Sequence, residues 1–453
     1  MEQTSLVMVT LAAVALLLFL VLKLRIQAFI SLLITSMFVG IASGMELSQV
    51  IESIQSGMGG TLGFVATVVG LGAIFGKILE ASGGAESLAR NLINRFGKER
   101  ASWALVLTGF LVAIPVFFDV GFIILVPIVY ALTKDTKKSL LFYGIPLLAG
   151  LAVTHTFIPP TPGPVAVAEI VGADLGWVIL FGAIVGFPTA IIAGPIFGKY
   201  IAGKIYVEVP EYMVEDDQDS YKKNDDLPPF RLITGIIGVP LILILANTLT
   251  DVLLKQAVIS EGRLTKLFNF LGHPFVALTI ATLLALYLLG TRRGFNREEL
   301  LELSTKALGP AGLIILVTGA GGVFKQILID SGVGGMLANT IASSSLPPII
   351  LAYILAVVVR ITQGSATVSM ITAAGIIAPV MDVFNLSGPD KALVVLAIAA
   401  GATILSHVND SGFWLVGRYF GLSEKETLKS WTVMESIISI VGFLIALGLS
   451  FIV

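Results

Sequence analysis

The sequence predicts an all-α integral membrane protein: about ten transmembrane helices plus two re-entrant hairpins, arranged as an inverted-topology repeat. Three observations carry this. Of 453 residues, 56% are hydrophobic and only 13% are charged, roughly half the charged share of a soluble domain. Apolar runs of about 20 residues recur along the chain, the length of a spanning helix rather than of a barrel strand. Four of those runs are interrupted by polar or proline-rich clusters, and landmarks of the first half return in the second.

The first run, Leu6 to Leu22, has no basic leader and is followed at once by Phe29 to Ala42, so it reads as a retained helix rather than a signal peptide. Helices are expected near 5–22, 26–44 and 60–80, the last rich in the glycines that let helices approach closely. Over 102–133 the chain is apolar but broken at Pro115 and Asp119, with Arg90, Arg95, Lys98 and Arg100 before it and Lys134, Lys137 and Lys138 after it. Lys and Arg concentrate on the cytoplasmic side, so both ends share one face. That makes a hairpin with its tip near Phe118–Gly121, two thin spanning helices being the alternative. The next run ends in THTFIPPTPGP, where Pro159, Pro160, Pro162 and Pro164 exclude a helix. Apolar sequence resumes at Val165, giving a broken helix over 139–172. A helix at 176–202 closes a first repeat, 1–202, and the acidic stretch 203–230 reads as a hydrophilic linker.

The second repeat, 231–453, follows the same plan. GAIFGKILEASGGAESLA (72–89) aligns with GGVFKQILIDSGVGGMLA (321–338), pairing Gly72 with Gly321, Phe75 with Phe324 and Ser82 with Ser331 at one constant offset. His155 pairs with His407 and Trp177 with Trp431 at nearly the same spacing. A second hairpin is expected at 347–383, its tip at TQGSAT (362–367), and a second broken helix at 392–420, interrupted at SHVND. Charges invert between the copies. The stretch 45–59, read as a loop, has no Lys or Arg while its counterpart 291–306 has Arg292, Arg293, Arg297 and Lys306; the basic stretch 90–100 corresponds to the uncharged 339–348. The two copies therefore lie upside down relative to each other, an arrangement characteristic of secondary transporters, whose site lies at broken helices near the midplane.

Arg360 lies 13 residues past Pro347, about 20 Å along a helix, too deep to reach an interface. A buried guanidinium needs a carboxylate or a bound anion: an ion pair with Asp119 or Asp410, or a substrate carboxylate. The tip beside it offers the hydroxyls of Thr362, Ser365 and Thr367, the Gln363 amide and the backbone of Gly364, a set suited to an anion and also to close helix crossing. Asp119, Asp410, His155 and His407 are the titratable groups placed at depth. Burial disfavours the charged form of such groups, which suits proton exchange; hydrogen-bonded structural roles are the alternative for the histidines. No cysteine is present and there are three histidines, so disulfides, thiolate metal sites and other metal or cofactor sets are not expected. No nucleophile–base pair points to an enzyme, the net charge of −2 gives no reason for a nucleic-acid partner, and no Walker A motif occurs. Energy must come from an ion gradient or a partner subunit.

At HTFIPPTPGP, RITQGSATV and SHVNDSGFW the chain resembles, over essentially its whole length, the gluconate permease family, proton-coupled sugar-acid symporters within the larger ion-transporter superfamily. The resemblance implies a multi-pass protein of the bacterial inner membrane that takes up gluconate or a related sugar acid with protons. It implies a homodimer with a scaffold part and a moving part carrying both hairpins. Within it, Arg360, Thr362, Gln363, Gly364, Ser365 and Thr367 are expected at the carboxylate; Asn409, Asp410 and the backbone near Thr156 at the sugar hydroxyls. Asp119, His155, His407 or Asp410 would carry the proton. Two departures stand out: Phe118-Asp119 where members commonly have Tyr-Glu, and Thr161 where many have His. The alternatives are a D-serine or other small hydroxy- or amino-acid symporter of the same family, and a passive organic-anion facilitator.

Overall fold

The computed structural model describes residues 8–9, 12–13, 15–17, 19–210, 227–333, 346–384, 386–408 and 410–453, and among them every regular element is helical. The first half contains α1 (Ala28–Ala42), α2 (Leu47–Ala81), α3 (Gly84–Phe96), α4 (Ala101–Val112), α5 (Phe118–Thr136), α6 (Leu140–Phe157), α7 (Pro162–Val171) and α8 (Leu175–Ala202). The second contains α9 (Phe230–Lys255), α10 (Arg263–Gly272), α11 (Pro274–Arg293), α12 (Arg297–Asp330), α13 (Pro348–Gln363), α14 (Ala366–Val383), α15 (Gly388–Gly401), α16 (Ser411–Phe420) and α17 (Glu424–Leu449). The expected helix near 5–22, the linker between 211 and 226 and the repeat's tail at 334–338 lie partly or wholly outside the described residues.

The protein is a multi-pass membrane protein. Among the described residues, seven segments are long and apolar enough to cross a membrane: α2, α6 with α7, α8, α9, α11, α12 and α17. The expectation was about ten. The helix near 5–22 lies partly outside the described residues. α1, at 15 residues, is about 22 Å long against the roughly 30 Å of a hydrocarbon core. The broken helix 392–420 is divided between α15 and α16, of 14 and 10 residues.

One expectation is corrected. The stretches 45–59 and 291–306 are not loops but mostly the first turns of α2 and α12. Their polar residues cap the helix instead of ending it. Gln49 accepts the Glu46 N–H at 3.4 Å; Asn296 and Glu299 exchange side-chain-to-backbone bonds of 2.9 and 2.8 Å, a reciprocal arrangement that fixes a helix start. At 35 and 34 residues, each helix is about 50 Å long.

These two helices form the seam between the halves. Ser53 Oγ donates to Asp330 Oδ2 at 2.6 Å, Gly57 abuts Gly322, Met58 meets Gly319 and Gly70 meets Leu308. Residue numbers rise along one helix as they fall along the other, so the pair is antiparallel. α2 and α12 are also the helices the sequence repeat equates, and a twofold axis in the membrane plane makes equivalent helices antiparallel.

The breaks have local causes. Pro115 ends the first arm of the 102–133 segment, and Pro159 and Pro160 end α6 just after Ile158, a position disfavoured in helix because a proline follows. Gly364 adopts φ +78°, the left-handed region glycine occupies without strain. α15 begins at Gly388, earlier than expected, because Ser387 and Asp390 form a capping box. The α6–α7 segment is the central post: 89% of its apolar window is buried, against at most 56% for any other span. α4 crosses α6 at Gly109 and Gly150, where a Cβ on Gly150 would lie 2.2 Å from the Val106 carbonyl oxygen. The backbone of α2 likewise abuts the first break, a Cβ on Gly76 falling 1.9 Å from the Pro115 carbonyl oxygen.

Candidate functional site

Each break hands the chain to the start of a helix: α5 at Phe118, α7 at Pro162, α14 at Ala366 and α16 at Ser411. A helix N-terminus exposes unbonded N–H groups and about half a positive charge. Four such ends sharing one region make it favourable for an anion.

The second-half breaks are tied together by one side chain. Arg360, in the last turn of α13, is only 2% exposed. Its Nη2 donates to Asp410 Oδ2 at 2.5 Å, and its Nη1 donates to the Gly364 carbonyl. Of the partners the sequence allowed, Asp119 or Asp410, the structure pairs it with Asp410. Asp410 Oδ2 also accepts from Ser406 Oγ at 2.5 Å, and Oδ1 accepts the Gly412 N–H at 3.0 Å, capping α16. Ser406 Oγ in turn accepts from Trp431 Nε1 at 2.7 Å. His407 donates through Nε2 to the Ile361 carbonyl at 3.2 Å. Ser365 is exposed and caps α14, accepting the Val368 N–H, while Thr367 is half-buried. The Thr362 side chain and Asn409 lie outside the described residues.

In the first half, Asp119 is exposed in the first turn of α5, and His155 is half-buried in the last turn of α6 with its ring 6.4 Å from that of Phe117. Thr156 sits inside α6 rather than in an unwound segment, and its hydroxyl turns back to the Ala152 carbonyl at 2.8 Å. The helix persists this far because its first breaking proline is Pro159. At the breaks the halves meet through several contacts, among them the electrostatic interaction of Asp119 with Asp410, the Phe118 and Trp431 rings 5.4 Å apart, and Gly163 against Met370 Sδ.

Two residues escaped the sequence reasoning. Ser406 opens the SHVND cluster, but a serine there carries no signal of its own. Glu435 stands within the run Trp431 to Val453, read as apolar, yet it is 3% exposed and interacts electrostatically with Arg360 and Asp410. A lone carboxylate inside a spanning run is itself a pointer to function.

Buried polar atoms ordinarily find partners. Among the described residues, Thr35 and Asn269 apart, those that do not belong to Thr154, His155, Arg360 (Nε), Gln363, Thr372 and Glu435. All six are on helices that meet at the breaks. A small cavity of about 10 Å³ lies between Gly72 and Ala73 of α2, Pro115–Phe117 and Pro160–Pro162; a neighbouring cleft of about 100 Å³ reaches Lys77, Glu80 and Lys306. Neither includes Arg360 or Asp410, which close on each other. No group of three or more His, Asp or Glu among the described residues is placed to hold a metal ion.

A multi-pass helical protein whose interrupted helices surround a buried cation and unpaired polar groups has the form of a membrane transporter. The chain belongs to the GntP family of permeases, which it matches over residues 4–452. It is similar to a gluconate permease of Pseudomonas aeruginosa (43% identity over 436 residues, 95% of this chain and 94% of that protein) and to a low-affinity gluconate transporter of Escherichia coli K12 (41% over 448 residues, 99% and 98%). It is also similar to the Gnt-II system L-idonate transporter of the same organism (40% over 439 residues, 97% and 98%). In fold it resembles the crystal structure of the Alcanivorax borkumensis YdaH transporter, with a TM-score of 0.61 at 15% identity over 90% of each chain.

Proposed function

We propose that the protein imports gluconate, or a closely related sugar acid such as L-idonate, by proton symport across the bacterial inner membrane. The observation that carries this reading is Arg360: a guanidinium buried where four helices begin, with its Nε–H unpartnered. The sugar carboxylate takes that N–H together with the hydroxyl and backbone groups of the TQGSAT tip. The buried Gln363 amide, with both polar atoms unpartnered, suits the hydroxyls of a polyol chain, as do Asn409, Thr367 and the outer edge of Asp410. Asp410 keeps the guanidinium in place when no substrate is bound. The names of the relatives support the substrate class, and the carboxylates around Arg360 support coupling to protons.

In this reading the two halves are inverted repeats, 101–136 and 348–383 are re-entrant hairpins, and a homodimer alternates access by an elevator-like movement. The test is uptake of labelled gluconate into proteoliposomes under an imposed pH gradient, with L-idonate, D-serine and lactate as competitors. Accumulation driven by the gradient is expected, blocked best by sugar acids. Flux that the gradient does not concentrate defines a passive facilitator and defeats the symport reading.

A further inference from the structure

We propose that Glu435 carries the co-transported proton, an inference that rests on the symport reading above. Within the cluster, Arg360 supplies one positive charge against the carboxylates of Asp119, Asp410 and Glu435, which it or Asp410 links electrostatically. With all of these ionised, the centre is already net negative before an anionic substrate arrives. A carboxylate can enter at little cost only if a proton enters with it.

The surroundings of each carboxylate say where that proton belongs. Asp410 receives three donors: Arg360 Nη2, Ser406 Oγ and the Gly412 N–H. Three of its roughly four lone-pair positions are already taken, two of them on the oxygen that faces Arg360. Asp119 is exposed and so far less enclosed than Glu435. Glu435 is 3% exposed with Oε1 lacking any donor, the environment in which a carboxyl group is least costly when neutral. α17 packs against α6, α8, α13, α15 and α16. The titratable or charged groups these bring are Tyr143 and His155 from α6, Lys199 and Tyr200 near the end of α8, Tyr353 (bonded to Ser439 of α17) and Arg360 from α13, Asp390 and Lys391 in the first turn of α15, and Tyr419 and Arg418 from α16. Of these, Arg360 acts on Glu435, as does Asp410 from the break before α16. Lys429, in the first turns of α17 itself, is exposed.

The arrangement gives a coupling rule. A neutral Glu435 leaves Arg360 answering to Asp410 and to the substrate; an ionised Glu435 competes with the substrate for the same guanidinium. Loading the proton and loading the anion then favour each other, as reciprocal linkage requires.

The test is Glu435→Gln, a permanently neutral mimic, in proteoliposomes with labelled gluconate. Gradient-driven accumulation is expected to fall at least tenfold while gluconate–gluconate exchange at equal pH persists. Accumulation at the wild-type level overturns the proposal. So does loss of both activities in folded protein, because a group that only carries the proton is dispensable for exchange. Gluconate binding followed by tryptophan fluorescence is a second readout: the wild type loses affinity as pH rises and Glu435→Gln does not. Should Glu435→Gln fail to fold, Glu435→Ala serves, and an unchanged pH dependence of binding then overturns the proposal. If the wild type itself fails to accumulate gluconate under the gradient, the symport reading falls; if wild type and variant both accumulate it, only the assignment to Glu435 falls.

Discussion

Replacing Asp410 by Asn separates a residue that holds Arg360 from one that binds substrate. The amide oxygen of Asn can still accept the Gly412 N–H, a contact of 3.0 Å. Its NH2 group, however, replaces the oxygen that receives Arg360 and Ser406, each at 2.5 Å, and sets donor against donor. Removing one partner of a buried ion pair costs about 3–5 kcal/mol. Arg360 is 2% exposed at the side chain and Asp410 13%, so the lower end applies, about 3 kcal/mol. That is a factor of about 150 in a two-state equilibrium. A gluconate carboxylate supplies the missing acceptor. Asp410→Asn is therefore expected to unfold at a lower temperature than wild type without substrate, and to gain more from saturating gluconate. The assay is thermal unfolding of purified protein in detergent, followed by tryptophan fluorescence, with the uncharged polyol glucitol as control. Wild-type stability in the variant, or a gluconate-induced rise no larger than that of wild type, would refute this reasoning. A smaller rise would mean that Asp410 is chiefly a ligand of the sugar.

Arg360→Ala should raise the apparent KM for uptake about 10- to 150-fold, the worth of one charge-assisted hydrogen bond at 1.5–3 kcal/mol; an unchanged KM removes Arg360 from the carboxylate site. Trp431→Phe keeps a ring against Phe118 but withdraws the N–H that Ser406 accepts at 2.7 Å. It should cost about 1 kcal/mol of stability, read by thermal unfolding. Gly150→Val forces a side chain into the α4–α6 crossing, where even a Cβ meets the Val106 carbonyl at 2.2 Å. It should lose at least the 1–3 kcal/mol of ordinary overpacking, whereas Gly235→Ala, inside α9 with nothing within 4 Å of its Cβ, should not lower the melting temperature and should raise it slightly. Cysteines at Lys98 and Pro347, equivalent positions of the proposed inverted repeat, should label from opposite membrane faces; labelling from one face contradicts the inversion.

The interruptions were legible because they are written in residue chemistry. Prolines at 115, 159 and 160 and the small polar tip around Gly364 admit few conformations, and the observed breaks fall at them. The depth of Arg360 was legible from spacing alone. Its partner was not: Asp119 and Asp410 are both far from it in sequence, and only the packing of α5 and α16 decides between them. The starts of α2 and α12 were hidden because Glu46, Gln49, Asn296 and Glu299 look like loop residues until their capping bonds are seen. Glu435 was hidden for the opposite reason, since one carboxylate barely alters the average hydropathy of a long apolar run.

The antiparallel seam of α2 and α12 bears on how such a protein can move. Rocking one half of the sequence against the other would mean prising apart the two longest helices along most of their length. The polar elements are knitted across the halves in the same way: α5 touches α16, and α7 touches α14. Any rigid body that shuttles solute must therefore be a mosaic drawn from both halves, sliding past a frame that is itself shared. A disulfide between cysteines placed at Ser53 and Asp330, whose side chains meet across the seam at 2.6 Å, should then lock the frame and leave transport running.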